Sequence, residues 1–188
     1  GGLNVAWDWV ELPSQIMEHW ATQPKVMKEY AKHYETDEAI PDALIQKIEK
    51  SSYFNQGFAN VEYLAASLLD MAYHTLEEPK DLQTMEFEKE YLNSIGLIPE
   101  IEPRYHSTYF GHIMGGYSAG YYSYIWSAVL DNDAFEAFEK HGIYDQETAE
   151  AFRTLLAKNG TKDPMQLYVD FRGRKPKEDA LLRNRGLN

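Results

Sequence analysis

At 188 residues, 44% hydrophobic and 26% charged, the chain suits a globular protein with one domain and a real core. A net charge of −12 without a basic stripe argues against nucleic acid and anionic membranes as partners. The absence of Cys excludes disulfides, thiol catalysis and Cys-held metal. No apolar run is long enough to cross a bilayer, and Gly1-Gly2-Leu3-Asn4 does not read as a signal peptide.

The apolar period is helical almost throughout. A first helix is predicted from about Asp8 to Ala21, and a second from about Lys25 to Tyr34 behind Pro24, a residue suited to a first helical turn. A third begins near Pro41, with Leu44, Ile45 and Ile48 on one side. The longest, about Tyr53 to Leu76, carries Phe54, Phe58, Val61, Leu64, Leu68 and Met71 at spacings of three or four. Ala65, Ala66, Leu69 and Ala72 fill its other faces. Such a helix, apolar on most sides, belongs inside a larger body. Another spans about Asp81 to Ser94.

From Ile95 to Ala119 the period breaks, with Pro99, Pro103, Gly111, Gly115 and Gly116; long irregular segments in compact domains often carry function. Helices resume over about Ala119–Lys140, Gln146–Lys158 and Asp163–Phe171, with a short one near Asp179. Asp145 and Asp163 are suited to N-caps, and Gly142, Gly160 and Gly173 to helix stops. No strand pattern, repeat or linker stands out. The expectation is a mainly α, multi-helix single domain over 1–188 with little or no sheet.

Two constellations could carry chemistry. In Trp7-Asp8-Trp9-Val10-Glu11-Leu12-Pro13-Ser14-Gln15, Glu11 lies near a helix start among apolar neighbours. It is either surface decoration favoured by the helix dipole or a buried group in need of a partner. One carboxylate cannot hold a catalytic metal, which takes about three protein ligands for zinc. In His112-Ile113-Met114-Gly115-Gly116-Tyr117-Ser118-Ala119-Gly120-Tyr121-Tyr122-Ser123-Tyr124, the Gly pair permits a sharp turn and close approach of another backbone. If helix begins at once, Tyr117, Tyr121 and Tyr124 share a face, either as a core stripe or as a wall of phenol donors. Arg104 could pair with a peptide carboxylate, or with a nearby Glu, the reading favoured here. His19, His33, His74, His106 and His141 show no His-Glu-x-x-His and no short His-x-His. They read as surface or hydrogen-bonded core residues.

At these constellations the sequence resembles the family of thimet oligopeptidase, neurolysin and bacterial peptidyl-dipeptidase (dipeptidyl carboxypeptidase). The matching stretches are Asn4–Trp20, Phe54–Phe58, Tyr63–Met71 and Arg104–Trp126, in the family's order. The ending Asp179–Leu187 resembles the C-terminus of the bacterial members, and the run Arg104–Tyr109 points the same way. The resemblance implies the C-terminal portion of a zincin-type catalytic domain. The family binds one zinc through the two His of His-Glu-x-x-His and a Glu further along, and the motif Glu is its general base. By resemblance Glu11 is the metal's third ligand and Tyr124 the oxyanion-stabilising phenol. Tyr117 and His112 take the places of groups that bind substrate beside the scissile bond. Tyr121, Arg104, Gly115 and Gly116 belong to the substrate-binding side, and the glycine segment to a mobile loop.

The departure is that no His-Glu pair exists in the chain. The resemblance places its start just downstream of that motif. The expectation is therefore a fragment of a zinc peptidase, acting on short peptides and releasing C-terminal dipeptides in the whole enzyme. Alone it should hold no catalytic zinc and cleave nothing. Its expected partners are peptide substrates and the N-terminal part of the same enzyme. Without that part, non-native self-association through uncovered apolar surface is expected. The alternative is a non-catalytic helical module that binds peptides with its Gly/Tyr-rich loop. The compartment stays open, with a bacterial cytoplasm or periplasm expected.

Overall fold

The computed structural model describes residues 4–78 and 81–187. Gly1, Gly2 and Leu3, of the stretch considered as a signal peptide, lie outside the described residues. Ten α-helices occur among the described residues: α1 Trp7–Val10, α2 Leu12–Ala21, α3 Pro24–Tyr30, α4 Asp42–Ser52, α5 Gln56–His74, α6 Thr84–Ser94, α7 Ser123–His141, α8 Gln146–Ala157, α9 Pro164–Arg172 and α10 Asp179–Asn184. A 3-10 turn occupies Gly111–Met114. No sheet forms among the described residues; one isolated antiparallel bridge joins Lys32 and Ala39. The mainly α expectation holds. No helix among the described residues is long and apolar enough to cross a membrane. The chain forms two compact units, one of residues up to Phe54 together with those from Ile125 onward, the other of Asn55–Tyr124.

The first unit is built around Trp9, Leu12, Ile16, Leu130, Phe135, Phe138, Phe152, Leu155, Leu167 and Tyr168, all nearly or fully buried. Burying each such large side chain contributes about 1.5–3 kcal/mol, which is what holds these short helices together. The Trp9 ring meets Tyr168 edge-on at 6.2 Å, and its Nε1–H donates to Asn159 Oδ1 at 3.0 Å. The caps expected from sequence are present. Asp145 accepts from the Thr148 N–H and Asp163 from the Gln166 N–H, and Gly142, Gly160 and Gly173 all have positive φ.

Two buried carboxylates on α7 need partners, because an unpaired charge in a core is costly. Asp133, 1% exposed, accepts from the Tyr168 hydroxyl at 2.6 Å and pairs with Arg174 at 2.7 Å and Arg172 at 3.3 Å. Asp131 takes His19 Nε2 at 2.7 Å and Gln15 Nε2 at 3.0 Å, tying α2 to α7. Burial still pushes the Asp131 carboxyl up, against the opposing hydrogen bond from His19.

Several expected helix boundaries moved: the second helix ends at Tyr30 and not at Tyr34, and the helix expected from Asp81 starts at Thr84. The helix expected over Asp8–Ala21 is two helices, interrupted at Glu11. Pro13 is the cause: it has no N–H to donate, and its ring would clash with the Trp9 carbonyl in a continuous helix. The long helix starts at Gln56, after Asn55 in the left-handed region at φ 58°. The helix expected from Ala119 starts only at Ser123.

In the second unit α5 turns Tyr63, Ala65, Ala66, Ser67, Leu69 and Asp70 inward. Its Phe58, Val61, Leu64, Leu68 and Met71 are 37–43% exposed, and Phe54 just ahead of it 83%. The face richest in large apolar side chains is thus the uncovered one, where the sequence placed the whole helix inside a larger body.

Candidate active site

In the first unit Glu11 sits at the joint between α1 and α2, with Trp9 and Leu12 buried on either side. It is the N-cap residue of α2, with φ −91° and ψ −1°. The Ser14 hydroxyl donates to its carboxylate. Gln15 and His19 anchor the turns that follow Glu11 to Asp131, and Trp9, ahead of it, donates to Asn159.

In the second unit the tyrosines meet, but not by helical register. The stretch from Gly115 to Tyr122 is a succession of turns, so the shared helix face imagined for Tyr117, Tyr121 and Tyr124 does not exist. The turns gather them anyway. Tyr117 and Tyr124 stack with ring centroids 5.3 Å apart and planes 8° from parallel. Tyr121 meets Tyr124 at 5.3 Å, and His112 meets Tyr117 at 5.8 Å, Tyr121 at 5.1 Å and Tyr124 at 6.0 Å. The carbonyl of His112 accepts from the Tyr117 N–H at 3.2 Å and the Gly115 N–H at 3.3 Å, which closes the glycine turn. Close backbone approach is not what requires glycine at 115. A Cβ there would meet nothing nearer than backbone oxygens at 3.9 Å.

His112, Tyr117 and Tyr124 are partly exposed, whereas Tyr121 is 3% exposed and backs the cluster from inside rather than lining a cleft. Burial pushes its phenol up to about 12, against the nearby Arg104 guanidinium, so it is a neutral hydrogen-bonding group at physiological pH. Arg104 pairs with Glu62 at 3.6 Å and lies over the Tyr63 ring at 5.6 Å. It thus finds the nearby Glu that sequence reasoning favoured.

Residues without a role in the sequence reading hold the ring cluster or, in the case of Glu88, the segment ahead of it. Tyr105 stacks on Phe110 at 5.1 Å and touches His112 at 5.0 Å; the Tyr63 hydroxyl donates to the Tyr121 carbonyl at 2.7 Å. Asp70 accepts from the N–H groups of Ala119 and Tyr121 at 2.9 and 3.0 Å. Glu88, 3% exposed, takes the Ser107 N–H and hydroxyl, both at 2.6 Å, and His106 Nδ1 at 2.5 Å. Burial alone would raise the Glu88 carboxyl, but the bonds from Ser107 and His106 outweigh it and hold the group below its ordinary value. A lone acid among apolar residues of a helix, as at Asp70, is the signal that could have found these anchors.

No three His, Asp or Glu side chains among the described residues come together as a metal site. Zinc takes about three protein ligands, so the donors of this chain by themselves do not fit that ion. Two partly exposed phenols and an imidazole in ring contact can nevertheless bind a peptide and donate to a developing oxyanion.

Residues 1–187 match peptidase family M3, and the chain belongs to that family. It is 44% identical to dipeptidyl carboxypeptidase of Escherichia coli, aligned over 100% of this chain and 28% of the relative. It is 39% identical to probable cytosolic oligopeptidase A of Arabidopsis thaliana, over 98% of the chain and 27% of the relative. Identity to oligopeptidase A of Escherichia coli is 37%, over 98% and 28%. The chain thus spans under a third of the length of these relatives and aligns to their C-terminal part.

Proposed function

We propose that both units belong to the C-terminal portion of one catalytic domain, in a zinc-dependent peptidase that cleaves short peptides. Membership of family M3 supports the peptidase reading. The observation that carries the site assignment is the ring cluster of His112, Tyr117 and Tyr124 on the turn after Gly115. In this reading Tyr124 donates its hydroxyl hydrogen to the oxyanion that forms as the peptide carbonyl is attacked. A neutral phenol suits the task, because it adds a hydrogen bond where charge develops without a charge of its own. Tyr117 and His112 hold the peptide beside the scissile bond, and Tyr121 backs them. Gly115 and Gly116 let the turn close over substrate, and Arg104 orients the wall from behind, through Tyr121 and Tyr63.

Glu11 supplies one ligand to zinc, whose other two come from outside this sequence. When bound, zinc supplies Lewis acidity toward the carbonyl and toward water. The chain alone is accordingly inactive, and its partners are peptide substrates and the remainder of the same enzyme.

Release of C-terminal dipeptides is the finer proposal. Its support is the greater identity to a dipeptidyl carboxypeptidase than to either oligopeptidase A compared. The test is hydrolysis by the full-length protein of one peptide with a free and with an amidated C-terminus. Loss of cleavage on amidation is expected; equal cleavage of both would point to an endopeptidase.

A further inference from the structure

We infer that Asp70 is a positioning residue, which sets the turn that presents Tyr117 and Tyr124. The inference rests on the reading of Tyr124 as oxyanion donor. Asp70 lies in α5 and is 0% exposed. A carboxylate so far from water is tolerated only when its oxygens are satisfied. Here Oδ1 accepts from the Ala119 N–H at 2.9 Å and faces His74 Nδ1 at 2.9 Å, while Oδ2 accepts from the Tyr121 N–H at 3.0 Å.

The point of attachment is informative. Ala119 is a non-glycine residue at φ 52°, a left-handed conformation that an L side chain adopts only when its surroundings impose it. Asp70 grips the N–H of this strained residue and the N–H two positions on, an anion held in the concavity of a turn. Ala119, in the left-handed region, cannot belong to a right-handed helix, and α7 starts only at Ser123, beyond the turn that Asp70 ties down. The rest of the turn follows from that grip. The Gly120 N–H donates to the Tyr117 carbonyl at 2.9 Å and the Ser123 N–H to the Gly120 carbonyl at 3.0 Å. Ring contacts then place Tyr124 against Tyr117 and Tyr121. Glu88 is a natural control: it is also buried, at 3% exposed, and it tethers Ser107 and His106.

The test uses the full-length enzyme with Asp70→Asn, Tyr124→Phe, both together, and Glu88→Gln, reading kcat, KM and the melting temperature. Asp70→Asn is expected to lower kcat about tenfold or more, and to cost less than about twofold when Tyr124 is already Phe. A merely structural role would give the same factor in both backgrounds, and would make Glu88→Gln as harmful to kcat at equal loss of stability; either result overturns the inference. Unchanged kcat in Asp70→Asn alone also overturns it. Unchanged kcat in Tyr124→Phe would instead sink the oxyanion reading on which it rests. Glycine takes positive φ without strain, so Ala119→Gly keeps the turn with less help from Asp70. It should restore at least about threefold of kcat, or cooperative folding if that was lost, to Asp70→Asn. No recovery counts against the inference.

Discussion

Among single residues, one phenol, Tyr124, is proposed to do chemistry, while buried acids do architecture. If Tyr124 is the oxyanion donor proposed, replacing it by Phe in the full-length enzyme should lower kcat about 100-fold with KM little changed. A loss confined to KM would assign Tyr124 to substrate binding instead. Glu88 and Asp133 are both held below their ordinary values of 4.5 and 3.8, Glu88 by Ser107 and His106 and Asp133 by Arg174 and Tyr168, in each case against the opposing effect of burial. Acids depressed in the folded state stabilise it above their unfolded pKa, and that stabilisation is lost as pH falls through the folded value. The excess melting temperature of wild type over Glu88→Gln should therefore shrink as pH drops below about 4.5. A gap that is constant between about pH 6 and about pH 3 would contradict the Glu88 assignment. Asp131, raised by burial, works in the opposite direction, because acid relieves the penalty on its charged form.

At the scale of elements, helical period and cap chemistry were legible while boundaries set by tertiary contact were not. The Asp145 and Asp163 caps followed from residue type and spacing alone. Asp145→Ala should lower the urea midpoint of the chain, as loss of an N-cap does, and an unchanged midpoint would make the cap dispensable. The break at Glu11 was also written in the chain, in Pro13, but the stronger apolar period masked it. The late start of α7 was not legible, since the left-handed turn at Ala119 that precedes it is tied to a carboxylate 49 residues away, Asp70. Nor does periodicity tell which face of an all-round apolar helix turns inward; on α5 the side with small residues and Asp70 does so. The opposite stripe, from Phe58 to Met71, is the surface expected to drive self-association of the chain by itself. Sedimentation should show species larger than a monomer, shifted toward monomer by Leu68→Glu. A monomeric wild-type chain would remove that expectation.

At the scale of the whole molecule, the candidate site was legible in part. His112, Tyr117, Tyr121 and Tyr124 were singled out by sequence and do come together, though through turns and not through a helix face. Tyr63, Asp70 and Tyr105, which hold that cluster, had no role in the sequence reading because each acts through packing or backbone bonds that join distant positions. Membership of family M3 sets the frame, and the chain's extent, 28% of a relative at 44% identity, sets what it can contribute. The contribution proposed for it is one metal ligand and the phenol donors. The most direct test is the zinc content of the dialysed full-length protein, wild type against Glu11→Gln. About one zinc per wild-type chain is expected, with most of it lost in the variant, because about three protein ligands are needed and one has gone. Full zinc retention by Glu11→Gln would show that Glu11 is not a ligand and contradict the account at its centre.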